Sequence, residues 1–153
     1  MSLAVRAPVT GRALAMTVVP DPVFAGLMVG PGAAVDPVRV PGTATAPIGG
    51  TVAKLHPHAY VITAGNGSGV LVHLGINTVE LNGDGFEVLV EEAQHVTAGT
   101  EIVRWDPTTV AATGRSPICP VVALDAGPDE LAHIIDHGEI TAGAPLFIWE
   151  GRR

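Results

Sequence analysis

Short apolar runs broken by turn residues recur almost from end to end: "GRALAMTVV", "FAGLMVG", "GTVAKL", "AYVITAG", "GVLVHLG", "FEVLV", "TEIVRW", "CPVVAL" and "APLFIW". Runs this short, rich in β-branched residues and bounded by Gly, Pro and Asn-Gly, are strand signals, and their even spacing predicts an all-β antiparallel sandwich or barrel. Helical periodicity is confined to Asp129 to His137, "DELAHIIDH", where Leu131, Ile134 and Ile135 fall at helical spacing and Gly138 would stop the element. Two further stretches, "DPVFAGLM" and "DPTTVAAT", fit single helical turns with Asp21 and Asp106 as caps ahead of Pro22 and Pro107.

Three segments share an order of turn, glycine and strand: "APVTGRALAM", "APIGGTVAKL" and "VTAGTEIVRW", with a weaker echo in "ITAGAPLFIW". They suggest hammerhead-like repeated hairpins folded over one another, without the fixed period of a solenoid. No linker interrupts them. Residues 1–153 are therefore expected to form a single domain.

The formal net charge is −7 and Lys54 is the only lysine, so the basic footprint that nucleic-acid binding requires is missing. An acidic protein would be steered towards a basic partner. Cys119 is the only cysteine, which rules out an internal disulfide and fits a reducing, cytoplasmic compartment. Pro8 and Gly11 interrupt the opening "MSLAVRAPVTGRALA", so neither a signal peptide nor a membrane anchor is expected there.

Chemistry concentrates around two of the six histidines. His58 and His73 are fifteen residues apart, and between them "AGNGSG" offers Asn66-Gly67 as the centre of a two-residue hairpin turn. An even loop count would keep that odd spacing on one face and bring both imidazoles to the same side of adjacent strands. Packing is the ordinary role for a histidine in a valine-rich strand. Two imidazoles side by side are harder to satisfy in an apolar interior, which favours an accessible site. His56, His58 and His73 together suit a metal-dependent β-sandwich enzyme, although Pro57 disturbs the strand and no carboxylate ligand is evident. Alternatively a neutral imidazole attacks phosphorus, which requires its other ring nitrogen to be held by an acceptor. The Gly75 carbonyl, two residues beyond His73, is placed for that.

"VPDPVFAGLMVGPG", "ATAPIGGTVAKL", the His58 to His73 spacing, "VHLGINTVELNGDGF" and "SPICPVVALD" together resemble the glucose-family IIA component of the bacterial phosphoenolpyruvate-dependent sugar phosphotransferase system. The likeness runs from about Ala7 to Trp149. It implies an antiparallel β-sandwich in which His73 is phosphorylated at Nε2 while Gly75 holds Nδ1. It further implies that His58 stabilises phosphoryl oxygens for onward transfer, that phosphorylated HPr is the donor, and that a cysteine of the IIB domain of a sugar permease is the acceptor. A regulatory role through the phosphorylation state follows by the same analogy. The transfer needs no cofactor; a zinc ion on His58 and His73 with a partner's carboxylate is compatible with the pair.

By that resemblance Val23, Phe24, Met28, Val29, Leu71 and Val79 form an apolar docking rim, although Val79 by itself reads more naturally as core. Asp21 would stand beside the site, free to meet an arginine of HPr as well as to cap a helix. Two positions depart from the family pattern: His56 stands where a threonine usually partners His58, and Asn77 replaces an aspartate. His56 reads as a solvent-exposed loop residue with a supporting role at most. "APIGGTVAKL" also resembles biotinyl or lipoyl carriers, but Lys54 lies within a strand-like run and not at a hairpin tip.

Overall fold

The computed structural model describes residues 2–151, and its elements are overwhelmingly antiparallel strands. In chain order they are β1 (Leu3–Arg6), β2 (Gly11–Ala15), α1 (Pro22–Ala25), β3 (Gly32–Pro37), β4 (Gly42–Thr45), β5 (Gly50–His56), β6 (Ala59–Thr63) and β7 (Gly69–His73). There follow β8 (Phe86–Val88), β9 (His95–Val96), β10 (Glu101–Trp105), α2 (Pro107–Ala112), β11 (Cys119–Ala123), β12 (Leu131–Ala132), β13 (Glu139–Ile140) and β14 (Pro145–Trp149). One sheet runs β13-β2-β3-β11-β7-β6-β5-β9, and two three-stranded sheets, β4-β10-β8 and β1-β14-β12, complete the sandwich.

Strand alternation sorts the side chains into two clusters. Val70, Val72 and Leu74, Val121 and Ala123, and Ala33 and Val35 point into the main core with Tyr60, Ile62, Ile102, Leu146 and Phe147. Their neighbours Ala34 and Val122 point to the other face of the large sheet, with Leu71 against it. There the segment carrying α1 covers them with Met16, Val19 and Phe24. This satellite cluster matters for function because His73, two residues beyond Leu71 on β7, belongs to the same face.

Asp21 and Asp106 cap α1 and α2 as the sequence suggests, their carboxylates accepting from Val23 N at 2.8 Å and Thr108 N at 2.9 Å. "FAGLMVG", which also reads as a strand in sequence, is thus helix and turn. The helix expected over Asp129 to His137 does not form. Pro128–Glu130 make a single 3-10 turn, and Leu131–Ala132 then pair with β14 as an edge strand. Strand pairing and the Glu130 side chain, which accepts from Gly127 N and Trp149 Nε1, satisfy that chain better than a short isolated helix would. The alanine- and glycine-rich strand β3 gives no strand signal in sequence, yet it lies inside the large sheet, where small residues permit close backbone approach. Cys119 is buried, and burial pushes its thiol up to about 12, which leaves it inert.

Candidate functional site

The β6–β7 hairpin closes differently from the sequence expectation. Ala64 N donates to Ser68 O at 2.8 Å and Gly67, at φ +90°, sits third in the loop, so the loop holds three residues, Gly65 to Gly67. Register therefore sets His73 opposite Ala59, not His58. The two histidines still meet, for another reason: His56 pairs with Ala59, leaving Pro57 and His58 as the central residues of the β5–β6 turn. A turn residue is free of strand alternation, and the His58 ring reaches over to His73 with centroids 5.2 Å apart and planes at 70°.

Two further contacts define the ring of His73. Its Nδ1 lies 2.5 Å from the Gly75 carbonyl oxygen, which can only accept, so Nδ1 carries the proton and a neutral ring presents a bare Nε2. Phe24 meets it edge-on at 5.4 Å. Burial lowers its basicity, opposed by the Gly75 bond and by the charge of Asp21. His58 is lowered to about 4 by burial, then by His73 and His56, so at neutral pH both rings are uncharged.

Gly75 is at φ +82°, and a Cβ there would lie 2.7 Å from Thr78 Cγ2 and 3.0 Å from Ser116 O. Only glycine can turn its carbonyl towards His73 in that space. Thr78, a fully buried polar residue, braces the same loop through Oγ1 donating to Leu74 O at 2.8 Å. Neither Thr78 nor Ser116 stood out in sequence. The only advance signal was a threonine one position past an Asn-initiated turn.

The remaining candidates divide. Val23, Met28 and Val79 are 45%, 78% and 59% exposed, while Val29 and Leu71 are half-buried beside them. Val79 is therefore not core: on the 3-10 turn Thr78–Leu81, Thr78 takes the inward position and Val79 faces out. Phe24, expected on the docking rim, is 8% exposed and packs beneath the site. Asn77 is exposed in the left-handed region at φ 59°, a conformation asparagine tolerates. Asp21 caps α1 and acts on His73 electrostatically.

His56 is exposed, but it is not idle loop: its ring stacks on His58 at 5.7 Å and 29°. Stacking presents ring faces, not converging nitrogens, and among the described residues no group of three or more His, Cys, Asp or Glu is arranged to hold a metal ion. The metal-enzyme reading on His56, His58 and His73 thus lacks a ligand set. Lys54 lies inside β5, which removes the biotinyl or lipoyl reading as well.

Residues 3–127 match the family model described as the phosphoenolpyruvate-dependent sugar phosphotransferase system, EIIA 1. The chain belongs to that EIIA family. EIIA proteins are phosphotransferase components that carry phosphoryl groups during sugar uptake. A glucose-specific EIIA component of Bacillus cereus is 41% identical over 126 residues, covering 81% of this chain and 75% of that protein. The N-acetylglucosamine-specific EIICBA component of Klebsiella pneumoniae is 39% identical over 148 residues; they are 95% of this chain but 22% of that protein, so the chain spans about a fifth of that relative. Among solved structures, glucose permease IIA of Mycoplasma capricolum superposes with a TM-score of 0.89 at 32% identity, covering 97% of this chain and 96% of that one. The EIIA β-sandwich is thus the architecture described above. Among the described residues no helix is long and apolar enough to cross a membrane.

Proposed function

We propose that His73 is the phosphoryl-carrying residue of this EIIA chain, with phosphorylated HPr as donor and a cysteine of the IIB domain of a sugar permease as acceptor. The Nε2 lone pair attacks phosphorus in line, the bond from phosphorus to the HPr histidine breaks, and that imidazole leaves with its electron pair. The observation that carries this reading is the bond from His73 Nδ1 to the Gly75 carbonyl, which keeps Nε2 nucleophilic without any further base.

His58 supports the transfer as a neutral donor to a phosphoryl oxygen, and its low basicity keeps a proton from competing for the site. In delivery the charge runs the other way: the IIB thiolate attacks, and His73 leaves as a neutral imidazole. His56 supports His58 by stacking. Val23, Met28, Val29, Leu71 and Val79 form the apolar surface against which both partners dock in turn, with Asp21 available to a basic group of HPr. The chain 1–153 works as one EIIA unit in the cytoplasm, and its phosphorylation state is open to reading by other proteins. Sugar identity resides in the permease.

Incubation with phosphoenolpyruvate, Enzyme I and HPr, followed by intact mass, tests the reading. One added phosphoryl group, stable in alkali and lost in acid, is expected. No mass gain, or a group that resists acid, would end it.

A further inference from the structure

The direction of the Gly75 carbonyl depends on what fixes the loop from β7 into the turn Thr78–Leu81. One strand of chain, residues 115–116, grips that loop twice. Ser116 O accepts from Ile76 N at 2.8 Å. Arg115 Nε donates to Asn77 O at 3.2 Å and approaches Glu80 Oε1 at 3.3 Å, while Nη2 donates to Glu80 Oε1 at 3.1 Å. Asn77 stands at the pivot, in the left-handed region, and reverses the chain immediately after the Gly75 carbonyl. Its own carbonyl is the group that Arg115 holds.

We propose that Arg115 is a positioning residue for His73: by clasping the Asn77 carbonyl to Glu80, it fixes the 75–77 loop and so keeps the proton of His73 on Nδ1. The reasoning rests on His73 being the phosphoryl acceptor. Gly75 and Asn77 are separated by one residue, and that residue is anchored to Ser116, the neighbour of Arg115. The Gly75 carbonyl and the Ile76 N–H form one peptide plane held by Ser116 O, and Asn77 O also accepts from Glu80 N at 3.3 Å. Without Arg115, segment 115–116 keeps only its backbone hold on the loop, and the plane that aims the Gly75 carbonyl is held less firmly. Once the acceptor drifts, nothing holds the ring in the tautomer with a bare Nε2. A planar, forked guanidinium suits the task because it reaches a carbonyl and a carboxylate together. Arg115 is 27% exposed and Glu80 62%, so the clasp adds little to global stability. Its effect is local.

Nitrogen-15 NMR of the imidazoles in the unphosphorylated full chain reads the tautomer directly, and stopped-flow transfer from phosphorylated HPr reads the consequence. In Arg115→Ala the His73 shifts should move from a pure Nδ1–H form to a tautomer mixture, with acceptance about 3- to 10-fold slower. The melting temperature should scarcely change. Arg115→Lys should restore part of both readouts, since an ammonium reaches one partner at a time. Glu80→Gln, which weakens the clasp without touching Arg115, should move the shifts in the same direction as Arg115→Ala. Wild-type tautomer shifts and rates in Arg115→Ala and Glu80→Gln would overturn the proposal. A His73→Gln protein that still takes up phosphoryl would overturn the acceptor assignment instead, while altered shifts in the Arg115 variants would still uphold the clasp.

Discussion

His73 donates its Nδ1 proton to the carbonyl of Gly75, a residue only two positions along the chain, across 2.5 Å. So short a connection can form only because Gly75 adopts φ +82° in a space too tight for any side chain. The imidazole and the carbonyl that fixes its tautomer therefore belong to one local stretch of chain. Its consequences can be checked one substitution at a time.

His73→Gln removes the proposed nucleophile and should abolish phosphoryl uptake, read as no mass gain with phosphorylated HPr. His58→Gln keeps an N–H donor but is not an imidazole. We expect it to accept the group at near wild-type rate and to fail in delivery to the IIB domain.

Gly75→Ala places a Cβ 2.7 Å from Thr78 Cγ2 and 3.0 Å from the Ser116 carbonyl, at a φ that L residues avoid. A loss of about 1–3 kcal/mol in urea unfolding is expected, together with a larger loss of acceptance than stability alone explains. Retained acceptance would mean that the carbonyl does not need its present direction.

Thr78→Val keeps the shape and removes the buried hydroxyl that donates to Leu74 O. The orphaned carbonyl should cost about 1–3 kcal/mol, measured by chemical denaturation. An unchanged midpoint would show that water reaches that carbonyl.

Protonation opposes the fold at both site histidines: burial, then repulsion from His73 and His56, lowers His58 from 6.5 to about 4, and burial lowers His73 against the opposing Gly75 bond and Asp21 charge. Between those limits the unfolded chain binds more protons than the folded one. Stability should therefore be full above about pH 6.5 and fall as pH drops towards 4, an effect that His58→Gln should blunt. NMR titration of His58 with a midpoint near 6.5 would contradict this.

Met28→Asp and Val79→Asp put charge on side chains that are 78% and 59% exposed. Folding should be unaffected to within about 0.5 kcal/mol, whereas binding of HPr should weaken about tenfold or more by calorimetry. Unaltered binding would place the docking surface elsewhere.

Short apolar runs and turn residues determined the antiparallel β class, the helix caps at Asp21 and Asp106, and the pairing of the His73 ring with the Gly75 carbonyl, because each depends on neighbours close in sequence. Tertiary structure decided what distant neighbours decide. Within the 129–137 segment, Leu131–Ala132 became an edge strand because β14 offered them hydrogen bonds, and Phe24 sank beneath the site because the satellite cluster needed covering. His58 met His73 from a turn, not from a facing strand position. Spacing alone could not supply that outcome: a one-residue change in loop length reverses which face a strand residue occupies, and only the folded register reveals it.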